Sequence, residues 1–246
     1  MKILVVDDSA LYRSAISEAL KQSPEITDVT TARHGKSGLE YLKSKRFDLA
    51  VLDLEMPVMD GIQTLQEAKK EGITTPIVVF SSMTLHGAEK TLKALEYGAL
   101  DFITKVSDSG GATEGIESIK QKLLPKVLAF QKQVNRQELD KKGPTTRTTT
   151  TAPTKKGLPP NLQQYYPEVI CIGSSTGGPD ALRQLFGLLT AKNGAPILVV
   201  QHMPRLFTKK LAENLDRISP YHVKEAEEGD IIERGKAYVA PGDFHM

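Results

Sequence analysis

Short apolar segments alternate with helix-patterned segments along this chain, and this alternation constrains its fold more than any other feature. The first apolar segment is KILVVDD, and FDLAVLDL, PIVVFSS and LDFITK follow it. Between them lie stretches such as SALYRSAISEALKQ, whose apolar residues recur at helical spacing. Near-continuous apolar strands joined by helices predict a parallel sheet with helices on both faces. Residues 1–128 are therefore predicted to form one α/β domain.

A second unit of the same kind is predicted over residues 167–246. EVICIG is typical of a strand and PDALRQLFGLLTA of a helix, and PILVVQHM and PRLFTKKLAENLDRI repeat the pair. YHVKEA and KAYVAPG are predicted to be further strands. Eighty residues are fewer than a doubly wound domain usually needs, so we expect this unit to lack its C-terminal part.

Residues 129–166 separate the two units and show no periodicity. Seven threonines lie between positions 145 and 154, and residues 131–156 carry seven Lys or Arg against two acidic residues. Such a stretch has little to bury, which predicts a flexible tether. A docking surface for an acidic partner is the alternative interpretation.

Composition excludes several classes of protein. The formal net charge of +2 is too small to indicate nucleic acid or a membrane surface as the main partner. No stretch approaches the roughly 20 apolar residues of a membrane-spanning helix, and the start has no signal peptide. Cys171 is the only cysteine and has no partner for an internal disulfide, so we expect a reducing cytoplasm.

Charged and hydroxyl side chains stand at the ends of the strands in the first unit. The five residues concerned are Asp7, Asp8, Asp53, Ser81 and Lys105. Parallel strands bring their carboxyl ends to one edge, so we expect these side chains to converge. Three carboxylates suit Mg²⁺, and a lysine and a hydroxyl suit the oxygens of a phosphoryl group that an aspartate accepts. The alternative is that each residue caps a helix or faces solvent separately, as Asp8 or Ser9 could do.

The segments VVDDSALYR, DLAVLDLEMPVMDG, VVFSS and GALDFITK resemble a response-regulator receiver domain, a flavodoxin-like, doubly wound parallel sheet. The resemblance implies that Asp53 is the phosphoacceptor and that a histidine kinase is the phosphodonor. It also implies that Asp7 and Asp8 bind Mg²⁺ together with Asp53 and the backbone carbonyl of Glu55.

Three more positions match the signalling residues of that family. Ser81 and Lys105 match the phosphate-sensing pair, and Phe102 matches the aromatic switch position. The family usually has proline after the lysine, often with a cis bond, where this chain has Val106. A non-proline cis bond costs about 2.5–4 kcal/mol, so we expect a trans bond here.

The segment CIGSSTGG allows three interpretations. Residues 173–177 read G-S-S-T-G, which places Ser175 at the centre of a G-x-S-x-G pattern. That pattern is typical of a nucleophile on a strand-to-helix turn. The same turn could bind an anion through its backbone N–H groups, although the lysine of a Walker loop is missing. It could also be only a tight structural turn.

A serine nucleophile needs a general base, and His202 is the main candidate. It ends PILVVQH, the strand expected to neighbour the serine strand. His222 lies at or in a strand, which favours a structural role. His245 in the last loop stays a candidate.

The segments IGSSTGGPDALR, PILVVQHMP, VKEAEEGD and AYVAPGDFHM resemble the catalytic domain of chemotaxis protein-glutamate methylesterases of the CheB type. The resemblance implies an incomplete doubly wound α/β esterase domain that needs no cofactor. It makes Ser175 the nucleophile and His202 the base, and Thr176 is the oxyanion candidate. The implied substrates are γ-methyl esters and some glutamines of chemoreceptors.

The third member of the family's triad is an aspartate in a G-M-G-x-D-G segment, which this sequence lacks. Asp230 and Asp243 do not match that segment. We therefore expect a fragment or truncated chain with little esterase activity. The alternative is a non-catalytic phosphoreceiver module with an incomplete C-terminal half. A DNA-binding regulator is disfavoured, because no helix-turn-helix pattern or basic recognition helix follows the first unit.

Overall fold

A computed structural model describes residues 1–105, 123–130, 167–190 and 194–246. Almost all of the predicted tether, and Val106 with its expected trans bond, lie outside the described residues. Within the described ranges, no helix combines the length and the apolar character that crossing a membrane requires.

The first unit is a five-stranded parallel sheet; the sequence predicts the parallel sheet and four of its strands, and β2 is additional. Its strand order is β2-β1-β3-β4-β5, and helices α1 to α4 follow the first four strands in turn. Residues 123–130, which we call α5, are also helical. The bounds are β1 Lys2–Val6, α1 Ala10–Lys21, β2 Asp28–Ala32, α2 Gly35–Ser44, β3 Leu49–Asp53, α3 Gly61–Lys70, β4 Ile77–Ser82, α4 Leu85–Glu96 and β5 Asp101–Lys105.

Local sequence accounts for where these helices begin. The side chain of Ser9 caps α1, that of Asp60 forms a capping box with Gln63 on α3, and that of Thr84 caps α4. These caps follow the ends of β1, β3 and β4 by three, seven and two residues, so each helix begins soon after a strand. This arrangement keeps the polar strand ends at one edge of the sheet.

The second unit is a four-stranded parallel sheet with the order β6-β7-β9-β8. The structure confirms the strands and helices predicted for it. Pro204 stands at the N-cap of its second helix, where a missing N–H costs nothing. The bounds are β6 Ile170–Ser174, α6 Gly178–Leu188, β7 Ile197–Gln201, α7 Arg205–Ile218, β8 His222–Glu225 and β9 Lys236–Val239.

The two units pack against each other through apolar side chains. The ring of Phe102 on β5 stacks on that of Phe207 on α7, with centroids 4.7 Å apart, and both side chains are buried. One buried cluster contains residues of both units. On α4, Glu89 forms an ion pair of 3.0 Å with Lys210 on α7. Helix α4 and strand β5 thus carry the contact with the second unit.

Candidate functional site

The carboxylates predicted to converge at the edge of the first sheet do so. Asp7, Asp8 and Asp53 each present an oxygen, and these oxygens lie within 4.8 Å of one another. Asp7 and Asp53 are buried, whereas Asp8 is exposed. They meet because β1 and β3 are parallel neighbours that both end at this edge.

Lys105 lies beside the two buried carboxylates. Its Nζ is 2.8 Å from Asp53 Oδ2 and 3.2 Å from Asp7 Oδ2. Burial raises the pKa of Asp53 to about 6; the charge of Asp7 adds to this, while Lys105 opposes it. Burial also raises the pKa of Asp7. Burial by itself would lower the pKa of Lys105, but the two carboxylates outweigh it and raise that pKa.

The acidic cluster fits a hard divalent cation. The Oδ2 atoms of Asp7 and Asp53 are buried and lie within ion-pair distance of Lys105, yet neither has a partner in hydrogen-bond geometry. Buried carboxylate oxygens with unused acceptor capacity are the donors that Mg²⁺ prefers. The carboxylate of Glu55 pairs with Lys90 at 3.0 Å, which is compatible with its backbone carbonyl being the expected ligand.

The predicted signalling residues Ser81 and Phe102 both face helices. Ser81 is buried near the end of β4, and its hydroxyl lies 3.2 Å from the carbonyl of Gly87 and 2.6 Å from the hydroxyl of Thr91. Phe102 stacks on Phe207 of the second unit. Strand β4 thus contacts α4 through Ser81, and strand β5 contacts the second unit through Phe102.

The serine turn has the strand-before and helix-after context that the sequence predicts. Strand β6 ends at Ser174 and helix α6 begins at Gly178. Gly177 has a φ of 72°, a conformation that glycine adopts without steric cost. Ser175 is exposed in the turn and stands just before the N-terminus of α6. A helix N-terminus favours negative charge, so the turn can stabilise a developing oxyanion.

His202 lies next to the serine turn because β6 and β7 are parallel neighbours. Ser174 pairs in register with Gln201, and the backbone N–H of His202 donates to the carbonyl of Ser174 at 3.0 Å. Ser175 and His202 therefore follow paired residues at the same edge of the second sheet. Both are exposed.

Gln201 is a site residue that sequence reasoning missed. Its Oε1 accepts a hydrogen bond of 2.6 Å from the hydroxyl of Ser174. Its Nε2 donates to the carbonyls of Ser175 at 3.0 Å and of His202 at 3.3 Å. One buried amide thus ties the serine turn to the histidine. The only signal in the sequence is a polar residue that ends the otherwise apolar run PILVV.

The first unit reaches the serine turn through Asp101. The Asp101 carboxylate accepts from the backbone N–H of Phe102 at 2.7 Å, and the Thr176 side chain lies close enough to lower the pKa of that carboxyl. Burial raises the pKa of Asp101, against the effects of the Phe102 N–H bond and of the positive charge of Lys126. The Thr176 side chain, expected near an oxyanion, therefore lies beside a buried carboxylate.

The other candidates from the sequence have partners of their own or lie in the last loop. His222 begins β8 and its Nδ1 lies 3.1 Å from the carboxylate of Asp216, consistent with a structural role. Asp230 pairs with Lys224 at 2.8 Å. Asp243 and His245 are exposed in the last loop.

Comparison with known proteins assigns both units. Residues 3–116 match the model of the response regulator receiver domain, and residues 170–246 match that of CheB methylesterase. The two sheets therefore define a receiver domain followed by a CheB-type methylesterase domain.

A curated relative agrees with this assignment, and parts of two solved structures are also similar in sequence. A protein-glutamate methylesterase/protein-glutamine glutaminase of Halalkalibacterium halodurans is 43% identical over the whole chain, which covers 67% of that protein. The response regulator domain of Thermotoga maritima CheB is 32% identical (54% of this chain, 96% of that one; TM-score 0.47). The catalytic domain of the same organism's CheB methylesterase is 51% identical (33% and 43%; TM-score 0.31).

The chain belongs to the protein-glutamate methylesterase/protein-glutamine glutaminase family, and it spans about two thirds of the length of that Halalkalibacterium relative.

Replacing Gln201 tests whether its amide holds the serine turn. Gln201→Leu removes three hydrogen bonds and leaves the Ser174 hydroxyl and two carbonyls without their partner. We expect the free energy of unfolding to fall by about 1–3 kcal/mol in chemical denaturation. The control is Gln184→Leu on the exposed face of α6, which we expect to change it by less than about 0.5 kcal/mol. Equal effects of the two changes would contradict the assigned role.

Asp101→Asn tests the cost of burying a carboxylate between the units. The pKa of Asp101 in the folded state is raised above its ordinary value of 3.8. Protonated Asp101 therefore contributes its full stabilisation below pH 3.8, and this contribution is lost as the pH rises through the raised pKa. We expect the variant and the wild type to be similar near pH 3.5, with the variant becoming the more stable as the pH rises to 7. Denaturant unfolding across this range measures the difference. Asp28→Asn, an exposed change, controls for the loss of one negative charge. A difference that is independent of pH would refute the prediction.

Proposed function

We propose that this protein is a phosphorylation-controlled hydrolase that removes methyl esters from glutamate side chains of chemoreceptors. One observation carries the catalytic part: the in-register pairing of Ser174 with Gln201 brings Ser175 and His202 to the same edge of the second sheet. A serine on a strand-to-helix turn next to a histidine is the arrangement of a serine hydrolase. The name of the Halalkalibacterium relative supplies the substrate class.

In the proposed reaction, the Ser175 hydroxyl attacks the ester carbonyl while His202 takes its proton. The tetrahedral oxyanion forms next to the N-terminus of α6. It collapses to an acyl-enzyme as the protonated His202 gives its proton to the departing methoxy group, and methanol leaves. Water then attacks the acyl group with His202 as base, which releases the glutamate and restores Ser175. An amide substrate would follow the same steps and release ammonia, which is the proposed deamidation of glutamine.

Asp53 is the proposed phosphoacceptor, and a histidine kinase is the proposed phosphodonor. Asp53 Oδ2 is held 2.8 Å from the Lys105 ammonium, which can pair with an oxygen of the transferred phosphoryl group. Asp7, Asp8, Asp53 and the Glu55 carbonyl would hold Mg²⁺, which, when bound, neutralises the charge of the cluster and of the phosphoryl group. The esterase reaction needs no cofactor.

The regulation follows from the contacts between the units. The Asp101 carboxylate lies beside Thr176, next to the nucleophile, and Phe102 stacks on Phe207. We propose that these contacts limit access to Ser175 before phosphorylation and that phosphorylation of Asp53 loosens them. Residues 129–166 are proposed as the tether that permits this movement between units 1–128 and 167–246.

A second function, a non-catalytic signalling module, is favoured by one observation. The carboxylates of Asp216 and Asp230 are engaged by His222 and Lys224, so neither is paired with His202 in the described part of the second unit. Loss of the third triad member can cost about 10⁴ in rate. In this reading the receiver works and the second unit only binds its partners.

Ser175→Ala decides between these two functions. We expect methanol release from methylated chemoreceptor membranes to fall by about a thousandfold or more, because the variant has no nucleophile. Ser44→Ala, at an exposed position of the first unit, is the control and should keep wild-type release. Methanol release by the wild type that survives in Ser175→Ala would contradict the assigned nucleophile. No release by the wild type would favour the signalling module.

Asp53→Asn tests the regulatory part separately. We expect the wild type to gain one phosphoryl group from acetyl phosphate and Mg²⁺, and the variant to gain none, by intact-mass measurement. The exposed Asp48→Asn is the matched control and should be phosphorylated like the wild type. Phosphorylation of Asp53→Asn would show that another residue is the acceptor.

A further inference from the structure

Thr91 on α4 is a fully buried polar residue that the proposed mechanism does not use. Its side chain has 0% exposure, and its hydroxyl lies 2.6 Å from that of Ser81 on β4. The same hydroxyl lies 2.7 Å from the backbone carbonyl of Gly87, one turn earlier in α4. The three oxygens therefore form a closed polar group inside an otherwise apolar region.

Each hydroxyl has only one proton, which restricts how this group can be bonded. Thr91 can donate to Ser81 while Ser81 donates to Gly87 at 3.2 Å, and every donor is then satisfied. In this pattern the Ser81 hydroxyl is bonded to α4. A Ser81 hydroxyl that donates to a phosphoryl oxygen on Asp53 has to give up its bond to Gly87.

Thr91 provides a second pattern for that state. Once Ser81 leaves, the Thr91 proton can go to the Gly87 carbonyl at 2.7 Å, so no buried donor is left unsatisfied. The two patterns hold equal numbers of hydrogen bonds when the phosphoryl group is counted, but the bonds differ in strength. The Gly87 carbonyl already accepts the backbone N–H four residues later in α4, so the Thr91 hydroxyl contributes less there than at Ser81. A threonine hydroxyl that bonds the carbonyl four residues earlier is known to bend helices, so the exchange acts on the first turns of α4.

Helix α4 is also the helix that contacts the second unit. Glu89 pairs with Lys210 of α7, and Leu92 and Leu95 line a small cavity together with Leu211 and Leu215 of α7. The exchange of hydrogen bonds at Thr91 therefore takes place between the phosphorylation site and the contact surface of the esterase unit.

We propose that Thr91 is a positioning residue that holds Ser81 on α4 in the unphosphorylated protein and so sets how readily the receiver adopts its phosphorylated arrangement. The proposal rests on the proposed function of Asp53 and names a regulatory residue of that same site. Its action is through Ser81 and not through contact with the phosphoryl group.

Thr91→Val separates this role from simple packing. Valine has the shape of threonine but no proton to donate, and a methyl group does not fit 2.6 Å from the Ser81 oxygen, as the hydroxyl does. The substitution therefore weakens the position of Ser81 on α4 by loss of a hydrogen bond and by steric crowding. Thr91→Ser keeps the donor and is the matched control.

The experiment measures binding of beryllium fluoride, a phosphoryl mimic, to the full chain with saturating Mg²⁺ by titration calorimetry. We expect Thr91→Val to bind about threefold to tenfold more tightly than the wild type, because the lost bond to Ser81 is worth more than the lost bond to Gly87 and because the methyl group crowds Ser81 on α4. Thr91→Ser should bind like the wild type. In a Ser81→Ala background, Thr91→Val should have no effect, because the residue that it positions is absent.

Other results would overturn the proposal. Equal or weaker binding by Thr91→Val would show that Thr91 does not restrain Ser81. An equal gain in the Ser81→Ala background would show a general packing effect. If the wild type itself does not bind beryllium fluoride and is not phosphorylated at Asp53, the proposed function of the receiver fails, and this inference fails with it.

Discussion

Parallel pairing of strands is the constraint on which both sites of this chain depend. In a parallel sheet all strands end at the same edge, so residues far apart in sequence meet there. In the first sheet this pairing brings the Lys105 ammonium within 3.2 Å of carboxylate oxygens of both Asp7 and Asp53. In the second it places Ser175 and His202 after the paired residues Ser174 and Gln201. Each site is therefore a product of strand order and register more than of any local motif.

Because Asp7 and Asp53 are buried close together at neighbouring strand ends, their pKa values are raised. Burial and mutual repulsion raise the pKa of Asp53 to about 6, and Lys105 only partly compensates. A cluster of this kind gains from any added positive charge, which accounts for its fit to a divalent cation. The serine turn is different, because Ser175 is exposed and the Ser174 hydroxyl and the Ser175 carbonyl are bonded to the neutral Gln201 amide.

Sequence reasoning predicted the strands that apolar runs mark. It missed elements without such a run and contacts between side chains that are distant in sequence. The central strands β1, β3 and β4 are apolar and buried, so their pattern was clear. Strand β2, with the sequence DVTTA, lies at the edge of the sheet and is only partly buried, and no apolar run marks it. Helices α2 and α3 were not identified either. The convergence of the acidic residues followed from strand order, whereas the roles of Gln201 and Asp101 depend on side-chain contacts across the sheet and between the units.

The stack of Phe102 on Phe207 favours the docked arrangement of the two units. Separating the units would expose two large aromatic side chains that are now buried, so the docked state is favoured by the hydrophobic effect. Residues 129–166 join the two units in one chain, so each unit stays at a high effective concentration near the other. Re-docking is then an intramolecular event that does not depend on how much protein the cell contains. The response to phosphorylation would be set by the ratio of two states within one molecule and would stay the same when expression changes.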